Sequence, residues 1–247
     1  MIIMILQLSN FEFFYGTLTF IAVIISVILG IVIAWKYKKF KRKEFLLVGL
    51  TWILLVSPYW SDAIQFITLT IFQYQINSVI YFFIANAFIA PIHIIWIMAL
   101  TKFIFHKRKN TLLIIFSTEA IIYEFFFLLS FFIDPNQIGT QMSAFVVEWA
   151  IWIQIYLLLS IVLFLITGFL FARQSLKSDN RELKVKGWFL IFAIILFTVA
   201  SAIDVIGAEA PTEITIFLAR TFLILSSVFF YIGFTLPRFI KELFIKS

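Results

Sequence analysis

The sequence contains no cysteine. Disulfides, thiolate metal sites and cysteine nucleophiles are therefore excluded. Histidine is nearly as scarce, with His93 and His106 alone. They lie roughly three helical turns apart, and His106 falls in a basic stretch, so no metal site built on the pair is expected. Charged residues make up only 13% of the chain, against about a quarter in an ordinary soluble domain. A glycine-rich phosphate loop, a His-Glu-x-x-His pair and a Gly-x-Ser-x-Gly elbow are all missing. Enzymatic chemistry is not expected.

Apolar residues are what the chain has in abundance, at 63%. A soluble fold cannot hide so much apolar surface, and lipid is the solvent that suits it. Seven runs reach the roughly 20 apolar residues that a spanning helix needs. They cover residues 13–35, 45–68, 77–101, 111–133, 143–172, 187–206 and 213–236. The runs are continuously apolar rather than alternating, so strands are not expected. The reading is all-α: residues 1–247 form a single polytopic domain of seven transmembrane helices.

Every lysine and arginine except Arg220 lies in a connector that follows an odd-numbered span, or in the tail after the seventh. Lys36 to Lys43 follow the first span, Lys102 to Lys109 the third, Arg173 to Lys186 the fifth, and Arg238 to Lys246 the seventh. Short basic connectors stay in the cytoplasm, which places the N-terminus outside and the C-terminus inside a cell membrane. The net charge of +6 is then a topology signal that also suits anionic lipid at the inner face, and nucleic acid is not expected. Met1 to Leu8 lack a basic n-region and read as an outer lead-in rather than a signal peptide. Asp134-Pro135-Asn136 and Pro211-Thr212-Glu213 carry turn and helix-start chemistry.

Spans one to three faintly resemble spans five to seven. Asp62 and Asp204 occupy matching places near the outer ends of the second and sixth, and Ala85-Asn86-Ala87-Phe88 is matched by Ala219-Arg220-Thr221-Phe222. A parallel three-plus-one-plus-three repeat would explain this, and so would chance between two apolar segments.

Charge inside a bilayer costs roughly 3 kcal/mol per group or more, so each instance needs a reason. Arg220 lies about 10 Å below the start of the seventh span at 1.5 Å rise per residue. Asp62, Asp204, Glu148 and Asn86 fall in the outer parts of their spans, at comparable depth. One expectation is an outward-facing ligand or ion pocket in which Asp204 or Asp62 neutralises Arg220, with Tyr59, Trp60, Trp149 and Trp152 as aromatic walls. The other is a structural ion pair that pins the sixth span to the seventh. Deeper lie His93, Glu119 and Glu124. The two glutamates are five apart and point to different faces, so a shared carboxylate site is not expected. His93 suits either a hydrogen bond across helices or a pH sensor. Pro58 and Pro91 are expected to kink their helices.

Seven helices suggest a retinal protein, but residues 213–236 contain no lysine for a Schiff base. No retinal, and no other cofactor, is expected. The stretch from the fifth to the seventh span resembles the seven-helix sensor region at the N-terminus of archaeal and bacterial histidine kinases. Gly168-Phe169-Leu170-Phe171-Ala172-Arg173, the polar loop Ser178 to Lys184, the re-entry Lys186-Gly187-Trp188-Phe189 and the ending Ile232-Gly233-Phe234-Thr235-Leu236-Pro237 carry the resemblance. The sequence ends at Ser247, ahead of any phosphoacceptor or ATP-binding domain. The resemblance thus implies a stand-alone receptor-like sensor that signals through a protein partner. A small transporter or channel using intramembrane carboxylates is the alternative, and a structural subunit of a membrane complex is a third.

Overall fold

The computed structural model describes residues 8–245. The lead-in read at Met1 to Gln7, and Lys246 of the basic tail, lie outside them. Ten helices and one small hairpin make up the described chain. They are α1 (Asn10–Phe40), α2 (Lys43–Leu55), α3 (Trp60–Phe72), α4 (Ser78–Asn86), α5 (Ile89–Phe103), α6 (Lys109–Ile133), β1 (Gly139–Gln141), β2 (Val147–Trp149), α7 (Ile151–Leu176), α8 (Arg181–Ile206), α9 (Glu213–Thr235) and α10 (Arg238–Phe244). Six helical stretches are long and apolar enough to cross a membrane, and α2 with α3 makes a seventh if that bent pair is counted as one. The fold is that of a helical, multi-pass membrane protein.

Local chemistry sets the ends. Ser9 and Glu12 form a reciprocal capping box on α1, and Thr212 and Thr215 form one on α9. Such boxes satisfy orphan amides that the first turn cannot bond internally. Asn77 and Asn180 cap α4 and α8 in the simpler way, accepting from the second amide of the helix. Asp134 turns the chain after α6 by accepting from the Asn136 amide at 3.1 Å.

Two of the expected spans are interrupted. The second breaks at a 3₁₀ turn, Ser57–Tyr59, with a 40° bend between α2 and α3. Pro58 cannot donate to the ladder and causes this break. The third breaks at Ala87–Phe88, between α4 and α5. Pro91 then sits in the first turn of α5, where a missing amide is tolerated.

The fifth expected span begins late. Residues 143–150 belong not to a helix but to the hairpin that precedes α7, with Gly139 opposite Trp149 and Thr140 opposite Glu148. The expectation of no strands is corrected here. Val147-Glu148-Trp149 alternates apolar, polar, apolar, and in the strand Val147 is buried while Glu148 is exposed.

The core is built on α1, α2, α8 and α9, with α7 against α8 and α5 against α2. Small residues let backbones meet, as membrane helix pairs require. Gly30 of α1 faces Gly49 of α2, and Gly233 of α9 lies against Leu190 of α8. Ser26 and Ser227 share a hydrogen bond of 2.7 Å between α1 and α9. Trp52 fills the centre, stacked on Phe230 with ring centroids 3.9 Å apart. In contrast, α6 packs on α5 and leaves Ile114, Ile121, Phe125, Phe132 and Ile133 exposed. That surface suits lipid tails.

Candidate functional site

The site gathers at the end of the bundle that lacks lysine and arginine connectors. Arg220, in the second turn of α9, is only 1% exposed. An isolated guanidinium there would be untenable, so its donors decide its place. Nε donates to Thr19 Oγ1 of α1 at 2.8 Å, and one terminal nitrogen donates to Asp204 Oδ2 of α8 at 2.6 Å. The other donates to the Tyr15 hydroxyl at 3.3 Å. The guanidinium also lies over two phenol rings, 5.4 Å from the Tyr15 centroid and 4.7 Å from that of Tyr59. Aromatic faces attract a cation more strongly when water is excluded.

The carboxylates are held as carefully. Tyr59, in the turn that breaks the second span, donates to Asp204 Oδ2 at 2.7 Å. Asp62, in the first turn of α3, accepts from Tyr15 at 3.3 Å and from Tyr81 of α4. It lies outside ion-pair distance of Arg220 and is linked to it through the Tyr15 hydroxyl. One guanidinium and two carboxylates therefore share one site, with Thr19 and three tyrosines as neutral partners.

These groups do not seal against one another. All of them except Thr19 border a cavity of about 160 Å³ that extends toward α5 and α7. Phe145, Val147 and Trp149 of the hairpin segment, with Ala208 and Pro211 of the α8–α9 connector, border it too. Asn86 faces this cavity from the break between α4 and α5, and its amide donates to the Phe82 carbonyl at 2.9 Å.

His93 borders the far part of the cavity. Its Nδ1 lies 3.2 Å from both oxygens of Glu119 on α6, and Tyr156 of α7 donates to the same carboxylate. Tyr123 stacks on Tyr156 at 3.7 Å between centroids. His93 Nε2 is buried and has no partner among the described residues.

The structure thus brings Asp62, Asp204, Arg220, Tyr59, Asn86 and His93 to one cavity. Trp149 joins them from β2 rather than from a helix. Glu148 does not: it is exposed on β2 and points away, because alternate strand residues take opposite faces. Trp60 packs on Phe88, and the Trp152 indole donates to the Gln137 carbonyl at 2.9 Å; neither borders the cavity. Glu124 Oε1 is buried without a hydrogen-bond partner among the described residues. Among the described residues no three His, Asp or Glu side chains converge as a metal ion would need.

Tyr15, Thr19 and Tyr81 escaped the sequence reading. A signal was present for the first two, since Tyr15 and Thr19 are four apart on a largely apolar span and so share a face. Polar groups at that spacing inside a membrane helix point to a partner. Tyr81 carried no comparable mark. The sequence matches no protein-family model, no curated protein and no solved structure.

Proposed function

We propose that the chain is a seven-span, receptor-like membrane protein that binds a small ligand in the cavity beside Asp62, Asp204 and Arg220. In this reading the basic connectors face the cytoplasm, the hairpin and the α8–α9 connector face outward, and α2 with α3 is one bent span. The single observation that carries it is a fully buried Arg220, held by Asp204 on the wall of an open cavity. A purely structural ion pair has no need of empty space beside it or of a second carboxylate nearby. The volume supports a small ligand, since a cavity of about 150 Å³ accommodates benzene. Output then passes through a protein partner at the inner face, where α10 and the first turn of α8 meet through a 2.7 Å ion pair of Lys241 with Glu182. A ligand drives such a change only by binding two helix arrangements unequally.

One observation favours a transporter as the second reading. Both interrupted spans break beside the cavity, at Ser57–Tyr59 and at Ala87–Phe88. Transporters commonly place substrate where discontinuous helices meet, between related halves. Asp62 and Asp204, at matching places in the two triplets, fit that pattern.

Reconstitution separates these readings. The full chain in lipid nanodiscs is expected to gain thermal stability, saturably, from at least one solute of about ten non-hydrogen atoms or fewer, as selective binding to the folded state requires. Liposomes containing the protein are expected to show no uptake of that solute. Uptake abolished by Asp204→Asn would replace the receptor with a transporter. A panel of cations, anions and neutral solutes that leaves the melting temperature unchanged would remove the ligand cavity altogether.

A further inference from the structure

The cavity's hydrogen-bonding capacity is lopsided. Most of its donors are spent. The hydroxyls of Tyr15 and Tyr81 serve Asp62, and that of Tyr59 serves Asp204. The Asn86 amide, the Ser160 hydroxyl and the Thr215 hydroxyl each donate to a backbone carbonyl. The Trp96 indole donates to Thr167 at 2.8 Å. Two N–H groups of Arg220, the second N–H of the Asn86 amide, the Ser201 hydroxyl and the Trp149 indole are the donors left.

Unspent acceptors dominate. Asp204 receives both of its bonds on Oδ2, which leaves Oδ1 open. Asp62 takes one bond on each oxygen, and a carboxylate offers about four lone-pair sites. Asn86 Oδ1 is open, since only the amide nitrogen of that side chain is bonded. Formal charge points the same way. Arg220 and Asp204 cancel, and Asp62 leaves one negative charge over.

An anion would meet two carboxylates for one guanidinium already clamped between phenol rings. A neutral ligand would leave Asp62 uncompensated. A bare alkali ion would fill a fraction of the volume and face Phe164, Phe197 and Ile161 with the rest. A cation that carries its own N–H donors and an apolar body satisfies each term. Resting on the ligand-binding reading, we infer that the cavity takes a small organic ammonium ion of roughly six to ten non-hydrogen atoms, a size set by comparison with the benzene-holding cavity. Its ammonium group meets Asp62 and Asp204, and its body lies along the aromatic wall.

The test compares isosteres of different charge. Benzylammonium, benzyl alcohol, benzoate and sodium chloride are titrated calorimetrically into the full chain in nanodiscs. Benzylammonium is expected to bind at least about tenfold more tightly than benzyl alcohol, as an intramembrane carboxylate demands of its counter-ion, and benzoate not at all. Asp62→Asn is expected to weaken benzylammonium about tenfold and to leave benzyl alcohol unchanged. Equal or tighter binding of benzyl alcohol or benzoate overturns the ligand class while sparing the ligand-binding reading, as does a saturable response to sodium alone. Absence of binding by every probe overturns both. Should Asp62→Asn fail to fold, the probe series on the unsubstituted chain decides by itself.

Discussion

Arg220→Met is expected to destabilise the folded protein by about 3–5 kcal/mol, the usual cost of removing one partner from a buried ion pair. The loss comes less from the broken contact than from what remains. Asp204 would keep one phenol donor, and both carboxylates would sit at one cavity without a cation. Thr19 and Tyr15 would lose the group that joins α1 to α9. The interpretation makes a second demand. In the double variant Arg220→Met/Asp204→Asn the carboxylate that Arg220 neutralised is gone and only Asp62 remains, so part of the loss is expected to return, with a coupling of about 1–3 kcal/mol between the sites. Reversible denaturation of the single and double variants in mixed micelles measures both quantities. A loss under about 1 kcal/mol, or a double variant no better than the single, would mean that the guanidinium is not paid for by Asp204.

Gly49→Ala is the second large effect. A Cβ at Gly49 would lie 2.5 Å from the Gly30 carbonyl oxygen and 2.6 Å from the Ala34 nitrogen. Both neighbours are backbone, so no rotamer change relieves the clash and α1 must move off α2. Overpacking of this kind costs about 3 kcal/mol, well above the gain of roughly 0.5–1 kcal/mol from replacing a helical glycine by alanine. Gly168→Ala supplies the contrast. Its Cβ would meet only the Ile194 side chain, nearest at the terminal Cδ1, 2.8 Å away. That methyl can turn aside, so the net change is expected to stay within about 1 kcal/mol, where loss and propensity gain offset. Equal effects at the two glycines would contradict the close α1–α2 crossing.

Much of the fold was legible because one property, continuous apolarity, governs it. The runs at 13–35, 111–133 and 187–206 lie inside α1, α6 and α8, and the run at 213–236 overshoots α9 by one residue. Pro58 announced the bend between α2 and α3, and Asp134-Pro135-Asn136 announced the turn after α6. The hairpin was hidden by the same property. Residues 143–150 are rich enough in apolar side chains to read as helix, and three residues of alternation in Val147-Glu148-Trp149 are too few to outweigh a long apolar context. Glu148 was misplaced for that reason alone.

The site was legible to the extent that charge inside lipid is costly. That cost singled out Arg220, Asp62 and Asp204 and required a partner for the arginine, and the structure supplies Asp204. Depth along a helix could not supply the direction in which a ring points. Trp60 and Trp152 share the depth of the cavity yet face elsewhere, while Tyr15 and Tyr81 face into it. Tyrosine carries no formal charge, so no cost marked these two, although they hold Asp62 in place. His93 and Glu119 were both visible, but their pairing depends on how α5 meets α6, which spacing within either helix does not encode.

The most direct test of the account exploits the missing cysteines. Single cysteines are placed at Ala208, which borders the cavity from the α8–α9 connector, and at Ser178, in the basic connector between α7 and α8. Intact cells are then treated with a cationic, membrane-impermeant thiol reagent. The expected result is labelling of Ala208→Cys from outside, and labelling of Ser178→Cys only after the membrane is opened. Labelling of Ser178→Cys in intact cells, with Ala208→Cys protected, would invert the protein in its membrane and place the cavity on the wrong side for an external ligand.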